Sequence, residues 1–394
     1  MKIVEKIIQD VKNSGDAAVK TYTKKFDGIN LDQFIVTKEE IKNAYRSVDQ
    51  ETIKALRFAK ENIELFAKQQ LKQFKDFEVK KDGFVIGQKV VPIEKIGAYV
   101  PGGNYALPST ALMCIIPAKV AGVKEIIVCS PKIKNATIVA ADIAGADKIF
   151  KIGGVQAIAA MAYGTKQIPK VDKIVGPGNV YVTSAKKEVY GDCGIDFLAG
   201  PSEVMVIADE FADPEIIAAD LLAQLEHDIN ARAFLVANSS AIISKTKEEI
   251  NKQLKNLDTK GIIKKSLKNL KIIAVKNIDE SIKIANEIAP EHLELQIRNP
   301  ARLMEKLRNY GSLFIGPYSA EAFGDYCAGT NHVLPTRGGA RFTSGLSVRD
   351  FVKLQTYQKI DAKGVKKLAS AALKLSKVEG LSAHNKSVQI RVKK

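Results

Sequence analysis

The feature of this sequence that most constrains its fold is an alternation of short apolar strands with helices, which begins near Gly97. Strands connected by helices form βαβ units, and these assemble into parallel sheets covered by helices on both faces. The sequence therefore predicts an α/β fold with two incomplete Rossmann-like parallel-sheet domains. The first block has predicted strands at 124–129, 147–151 and 172–175 and predicted helices at 135–144 and 154–162. The second block has predicted strands at 203–208, 233–237, 270–275, 293–297 and 312–315 and predicted helices at 214–227, 240–254 and 277–288.

Both ends of the chain depart from this alternation. In residues 1–75 apolar residues recur every three or four positions, which predicts a helical N-terminal lead-in. Residues 83–95 predict a pair of short strands. The last fifty residues predict two helices, at 362–378 and 381–389, and hence a helical C-terminal tail.

The formal net charge of +16 makes a nucleic acid or an acidic membrane a partner to consider. Only ten of the 60 basic residues are arginines, the side chains suited to bidentate recognition of phosphates and bases. The lysines are spread along helical segments such as 245–255 and 366–377, which is typical of solvated helix faces. We therefore expect no nucleic-acid partner and interpret the charge as surface character.

The cysteines and the hydropathy of the sequence indicate the cellular compartment in which the protein is expected. The four cysteines are far apart and form no metal-binding spacing, and the first 16 residues are amphipathic rather than a signal peptide. The most apolar stretch, 110–129, is interrupted by Pro117, Lys119, Lys124 and Glu125, so it is too broken to span a bilayer. We expect a cytoplasmic protein with no membrane segment.

Three glycine-containing turns stand between strands and helices of the first block. Free N–H groups and the helix dipole at such a turn can hold an anion. One such turn is ordinary loop chemistry, whereas three at the carboxyl ends of strands favour a nucleotide-sized anionic ligand. The turns are Tyr99-Val100-Pro101-Gly102-Gly103, Gly153-Gly154 before a helix that contains Gln156, and Gly176-Pro177-Gly178-Asn179.

The chain contains only four histidines, and each lies beside a carboxylate or an amide. Gln224 and His227 are three residues apart on a predicted helix, so they share a face. The pattern favours a divalent metal site of imidazole, carboxylate and amide groups, with one imidazole left as a base. Four unrelated surface histidines are the alternative, and spacing alone leaves both open. The remaining groups are Glu291 with His292, Asp325 with His332, and Glu379 with His384.

Nine segments in these regions closely resemble the histidinol dehydrogenase family, whose members oxidise L-histidinol to L-histidine in two NAD-dependent steps. The resemblance covers almost the whole chain, and the segments occur in the family's order. They are YVPGG, GGVQAIAAMAYGT, KIVGPGNVYVTSAK, IDFLAGPSEV, LLAQLEHD, APEHLEL, GDYCAGTNHVLPT, RFTSGLSVRDF and EGLSAH.

The resemblance implies a set of site residues, carried over position by position. It implies Glu291 and His292 as the catalytic acid/base pair. Zinc, one ion per subunit, is expected on Gln224, His227, Asp325 and His384. The substrate L-histidinol is expected to contact Ser202, His332 and Glu379, together with His292 and the four zinc ligands. NAD is expected to contact Tyr99, Gln156 and Asn179.

The resemblance also implies a mechanism. His292 takes the hydroxyl proton as hydride passes to NAD, and Glu291 then activates the water that hydrates the bound L-histidinal. His292 acts again as base in the second hydride transfer. Zinc is expected to orient the substrate rather than to activate water, because two substrate nitrogens would fill a six-coordinate site.

The family's organisation implies three parts in this chain. They are a discontinuous domain of 1–97 and 207–345 on the metal and substrate side, a domain of 98–206 on the NAD side, and a tail of 346–394. In the family the tail crosses to a second subunit and supplies the last zinc ligand, here His384. Because a helical tail has no sheet of its own to pack on, we expect a homodimer with shared active sites. Family members commonly carry an N-terminal arm that is not expected here, which predicts a difference in how the dimer is held.

Two other functions are alternatives to this one. A non-catalytic nucleotide- or metal-binding homologue of the same fold would be expected to have lost Glu291 or His292, and this sequence has both. A thiol-dependent aldehyde dehydrogenase would need a reactive cysteine near the turn at Gly176. The only candidate, Cys193, has no nearby base in the sequence.

Overall fold

The computed structural model describes residues 1–102 and 106–393. A helical lead-in is present as predicted, and its third helix begins with a capping box between Thr37 and Glu40. A hairpin of two strands follows the lead-in. These elements are α1 (Lys2–Ser14), α2 (Asp16–Asp27), α3 (Lys38–Ser47), α4 (Gln50–Leu71), β1 (Phe77–Lys81) and β2 (Phe84–Pro92).

The next five strands form the first parallel sheet. They alternate with helices as β3 (Lys95–Tyr99), α5 (Pro108–Ala121), β4 (Glu125–Cys129), α6 (Asn135–Ala144), β5 (Lys148–Phe150), α7 (Gly154–Tyr163), β6 (Lys173–Val175), α8 (Val180–Val189) and β7 (Gly194–Ile195). The strand order is β5-β4-β3-β6-β7, so β3 is central. The sequence pattern does not predict β3, because glycine, a poor strand former, is its middle residue. The fold uses Gly97 for close packing, since a Cβ there would lie 2.5 Å from Met161 Sδ.

The second parallel sheet repeats the arrangement of the first. Its elements are β8 (Glu203–Ala208), α9 (Pro214–Leu225), β9 (Arg232–Ala237), α10 (Ser240–Gln253), α11 (Lys260–Ser266), β10 (Leu270–Ala274), α12 (Ile278–Ile288), β11 (His292–Gln296), α13 (Ala301–Met304), β12 (Ser312–Ile315) and α14 (Glu321–Tyr326). The strand order is β10-β9-β8-β11-β12, with the first strand again at the centre. Numbered along the chain this is the order 3-2-1-4-5, that of a Rossmann fold without its sixth strand, so the predicted fold class is confirmed.

The C-terminal region contains a strand that the sequence pattern does not reveal. β13 (Val352–Ile360) pairs antiparallel with the whole of β2 and completes a three-stranded sheet, β1-β2-β13. The predicted C-terminal helices are present, but the expectation that the tail has no sheet of its own is wrong. A single strand gains its hydrogen bonds only from a partner, and here the partner is far away in the sequence. The two predicted tail helices follow, as α15 (Ala362–Val378) and α16 (Ser382–Val392).

The N-terminal helices pack on the first parallel sheet. α1 and α2 contact α7, and α3 and α4 contact α6 and α5. The predicted domain limits at 97/98 and 206/207 fall inside β3 and β8. The division into domains stays a prediction, and these contacts favour grouping the lead-in with the first sheet instead of with 207–345.

The helix that covers the first part of the apolar stretch at 110–129 is an interior element. α5 is buried along nearly its whole length, and α4 and α6 cover it. A helix that is apolar all round is buried in the core of a large protein or in a membrane. Within residues 1–102 and 106–393, no helix combines the length and the apolar character needed to cross a bilayer.

Candidate active site

A cavity of about 490 Å³ lies between the two parallel sheets. The first sheet contributes the start of α5 and Pro177, which follows β6. The second contributes Ser202, which precedes β8, and His292, which begins β11. β8 and β11 are adjacent and parallel, so their amino ends meet at one edge of the second sheet. The cavity therefore collects polar groups that are far apart in the sequence.

Glu291 is a buried carboxyl in the cavity wall. Its Oε2 accepts hydrogen bonds from Ser202 Oγ at 2.5 Å and from Glu203 N at 2.9 Å. Burial raises the pKa of Glu291 well above its usual value, and the two hydrogen bonds offset this only in part. A carboxyl with a raised pKa can exchange a proton near neutral pH, which suits general acid–base chemistry.

His292 is a buried imidazole beside that carboxyl. Its Nδ1 lies 3.2 Å from the carbonyl oxygen of Glu203, which can only accept, so we place the ring proton on Nδ1. Nε2 then carries the lone pair, and it has no hydrogen-bond partner among the described residues. Burial lowers the pKa of His292 to about 4, and the nearby Asp325 carboxylate opposes this shift. A neutral imidazole with a free basic nitrogen is the arrangement of a general base.

Three of the four predicted zinc ligands meet next to His292. The side-chain amide of Gln224 lies 3.2 Å from His227 Nδ1, and Asp325 Oδ1 lies 3.8 Å from His292 Nε2. α9 ends at Leu225, so His227 lies beyond the helix and not on it as predicted. The two side chains still meet, because the chain continues in a turn in which His227 N donates to Gln224 O.

Glu321 is a site residue that the sequence reasoning missed. Its Oε1 lies 3.4 Å from His292 Nδ1, and with His292 and Asp325 it forms a group whose ligand atoms all lie within 4.8 Å of one another. Glu321 precedes Asp325 by four residues on α14, and this i, i+4 spacing of two acids was the available signal. Because His292 Nδ1 carries the ring proton, the Gln224 amide oxygen accepts from it at 3.1 Å, and the amide nitrogen lies 3.2 Å from His227 Nδ1. Among the described residues, His292, Glu321 and Asp325 are the group close enough to share one cation, and the Gln224 amide and the His227 imidazole lie beside it; these donor types suit a divalent cation such as Zn²⁺.

His332 connects the two sheets across the cavity. Its Nδ1 donates to the carbonyl oxygen of Asp325 at 2.7 Å, and its Nε2 lies 3.3 Å from Thr110 Oγ1 on α5. With Nδ1 protonated, Nε2 can accept a hydrogen bond from Thr110 or from a bound molecule. His332 and Ser202 both line the cavity, as the predicted substrate contacts require.

The predicted dinucleotide contacts lie at the carboxyl edge of the first sheet. The glycine turns follow the parallel strands β3, β5 and β6, so they share that edge as predicted. The hydroxyl of Tyr99 accepts from Gly154 N at 3.1 Å, and Gln156 is buried with an Oε1 that has no partner within the described part of the chain. Asn179 is exposed, and its Oδ1 accepts two backbone N–H groups at the start of α8. Gly103 of the first turn lies outside the described residues.

Two predicted site residues stand apart from the cavity of their own chain. Glu379 directly follows α15 and His384 lies on α16, and both are exposed. Neither belongs to the described residues that line the cavity. One chain alone therefore brings together seven of the predicted metal, substrate and catalytic residues, namely Ser202, Gln224, His227, Glu291, His292, Asp325 and His332.

Comparisons with known proteins agree on one family. The family model described as histidinol dehydrogenase matches residues 1–392. Histidinol dehydrogenase of Methanocaldococcus jannaschii is 50% identical over 395 residues, which cover 99% of this chain and 92% of that protein. The enzyme of Clostridium acetobutylicum is 49% identical over 399 residues, covering 100% and 92%. The crystal structure of histidinol dehydrogenase from Elizabethkingia anophelis superposes with a TM-score of 0.95 at 41% identity, covering 100% of this chain and 92% of that one.

Proposed function

Because the chain belongs to the histidinol dehydrogenase family, it is an NAD-dependent oxidoreductase of histidine biosynthesis, and we propose that it oxidises L-histidinol to L-histidine in the cavity between its two sheets. The observation that carries the proposal is the buried pair of Glu291 and His292. Among the described residues the Nε2 of this histidine has no hydrogen-bond partner in the cavity wall, and three candidate metal ligands lie in the same region.

The substrate is proposed to bind between a metal ion and polar groups of the cavity. Zn²⁺ held by Gln224, His227, Asp325 and His384 of the partner subunit would supply a positive centre that orients the imidazole and amine nitrogens of L-histidinol. On the other side of the cavity, Ser202, His332 and the partner subunit's Glu379 would contact the substrate.

In the first oxidation His292 acts as the general base. Its Nε2 takes the proton of the substrate hydroxyl. The carbon that bears this hydroxyl loses a hydride to the nicotinamide of NAD, which gives an aldehyde. The Glu203 carbonyl oxygen accepts a hydrogen bond from the protonated Nδ1. The same hydrogen bond stabilises the imidazolium that forms when Nε2 takes a proton. The turns of the first sheet, with Tyr99, Gln156 and Asn179, would hold the dinucleotide that supplies the hydride acceptor.

In the second oxidation the aldehyde must first be hydrated. Glu291 takes a proton from the water that attacks the aldehyde carbon, and its raised pKa suits this role. After His292 has lost its first proton to solvent, it takes a proton from the hydrated aldehyde. A second hydride then leaves for a second NAD, and the product is the carboxylate of L-histidine.

A stoichiometry tests this function. We expect two NADH formed per L-histidinol consumed, an activity that a chelator abolishes and that added Zn²⁺ restores. One NADH per substrate would indicate a simple alcohol dehydrogenase. Full activity in the chelated protein would contradict the role given to the metal.

The remaining parts of the proposal concern assembly and compartment. We propose a homodimer with shared active sites, because the predicted contacts Glu379 and His384 are exposed and apart from the cavity of their own chain. We also propose a cytoplasmic location, which the four unpaired cysteines support. Sedimentation velocity tests the assembly, and a monomer at micromolar concentration would contradict it.

A further inference from the structure

Glu203, the first residue of β8, contacts both members of the catalytic pair through its backbone. Its N–H donates to Glu291 Oε2 at 2.9 Å, and its carbonyl oxygen lies 3.2 Å from His292 Nδ1. One peptide segment therefore holds the carboxyl in place and also fixes the protonated nitrogen of the imidazole. A small displacement of this segment would move both groups together.

The side chain of Glu203 anchors this segment through contacts with two arginines outside the catalytic pair. The carboxylate is fully buried, and its Oε2 accepts from Arg232 Nη1 at 3.0 Å. Its Oε1 accepts from the backbone N–H of Arg337, a residue in the left-handed conformation with φ 53°. Arg232 lies on the neighbouring strand β9, and its guanidinium stacks 4.9 Å from the ring centre of Phe234.

These contacts anchor the point where a loop becomes a strand. Residues 199–202 form a loop, and Ser202, which lines the cavity, is the last residue before β8. Arg232 also donates its backbone N–H to the Ser202 carbonyl at 3.0 Å. A buried carboxylate that was needed only for packing could be replaced by an apolar group, since buried ion pairs add little net stability.

We infer that Glu203 and Arg232 form a positioning pair: the ion pair fixes the first residue of β8, whose backbone groups aim Glu291 and His292 into the cavity. This inference rests on the proposed function, because it takes the roles of Glu291 and His292 from there. Arg232 and Glu203 do not touch the substrate in this account, so they affect turnover through the placement of the catalytic pair.

The test uses the full-length protein and the more accessible member of the pair. Arg232→Ala is expected to lower kcat roughly 10- to 100-fold, because small errors in placement cost turnover steeply, while KM for L-histidinol changes less than about threefold. The Arg232 side chain is 36% exposed, so a soluble cation can reach the vacated position. Millimolar ethylguanidinium is expected to restore much of the lost kcat of Arg232→Ala, and Arg232→Lys is expected to retain more activity than Arg232→Ala.

Control variants separate this inference from general destabilisation and from the proposed function. Arg302→Ala removes an arginine from an exposed pair with Asp279 and is expected to leave kcat unchanged, with or without ethylguanidinium. If His292→Asn keeps wild-type activity, the proposed function itself fails. If His292→Asn is inactive while Arg232→Ala has wild-type kcat, this inference alone fails. It also fails if ethylguanidinium and Arg232→Lys restore nothing, because the loss would then be one of folding.

Discussion

A buried ion pair next to the proposed dinucleotide site allows the sharpest prediction about stability. The Nζ of Lys186, on α8, donates to Asp196 and, at 2.9 Å, to the carbonyl oxygen of Gly176. Asp196 in turn accepts from the N–H groups of Gly176 at 2.8 Å and Phe197 at 2.7 Å. The lysine side chain is 3% exposed and the aspartate 0%. The N–H and the carbonyl oxygen of Gly176 thus form hydrogen bonds with two charged side chains that are buried from water.

The variant that tests this ion pair is Lys186→Met, which keeps most of the side-chain length and removes the charge. It leaves the Asp196 carboxylate buried without its counter-ion and the Gly176 carbonyl without this donor. Removing one partner of a buried ion pair costs about 3–5 kcal/mol, because the remaining charge stays desolvated. We expect the free energy of unfolding to fall by that amount. Adding Asp196→Asn is expected to recover part of the loss, because it removes the unpaired charge and keeps an oxygen that can accept the N–H groups.

Urea unfolding followed by circular dichroism measures these differences. The matched control is Lys12→Met, since Lys12 lies 3.5 Å from Asp192 in an exposed pair on the same half of the chain. Exposed pairs contribute about 0–1 kcal/mol, so this variant is expected to unfold close to the wild type. Equal losses from Lys186→Met and Lys12→Met would show that the buried charge of Asp196 carries no such cost, as would a double variant less stable than Lys186→Met alone.

Three further predictions concern the turn, the shared site and pH. Gly176→Ala is expected to weaken NADH binding in a fluorescence titration, because Gly176 has φ 109° and a Cβ there would lie 2.1 Å from the Tyr99 carbonyl oxygen; unchanged affinity would contradict the role given to this turn. His384→Ala and His292→Asn are each expected to be inactive. Random mixing of their subunits should restore about a quarter of wild-type activity, since half of the dimers would be mixed and each mixed dimer would contain one intact site of two. If each site were confined to one subunit, mixing would restore no activity. Burial raises the pKa of Asp220 to about 6, above its unfolded value of about 3.9, so its stabilising contribution is present at low pH and is lost as pH rises through 6. In urea titrations the stability of Asp220→Asn should therefore fall less than that of the wild type between pH 4 and pH 7, and a difference independent of pH would contradict the raised pKa of this carboxyl.

What could be read from the sequence is what depends on near neighbours in the chain. Most strands and helices of both sheets follow from local apolar patterns, but β3, whose middle residue is glycine, does not. Glu291 and His292 are covalent neighbours, and Gln224 and His227 are three residues apart, so no fold could separate either pair widely. The resemblance of nine segments to one family then assigned their chemistry, and the comparisons confirm that family.

Only the tertiary structure decided which distant groups share one environment. β13 exists through its pairing with β2, and Glu203 matters because β8 lies between β9 and β11. Local sequence patterns do not reveal these contacts, because hydrogen bonds between strands and loss of hydration depend on partners that only folding brings together. The same holds for His292, whose pKa of about 4 arises from burial. Local patterns and the resemblance therefore predict the fold class, the family and the proposed catalytic residues, whereas packing sets the protonation and alignment of those residues and keeps His384 apart from the cavity of its own chain.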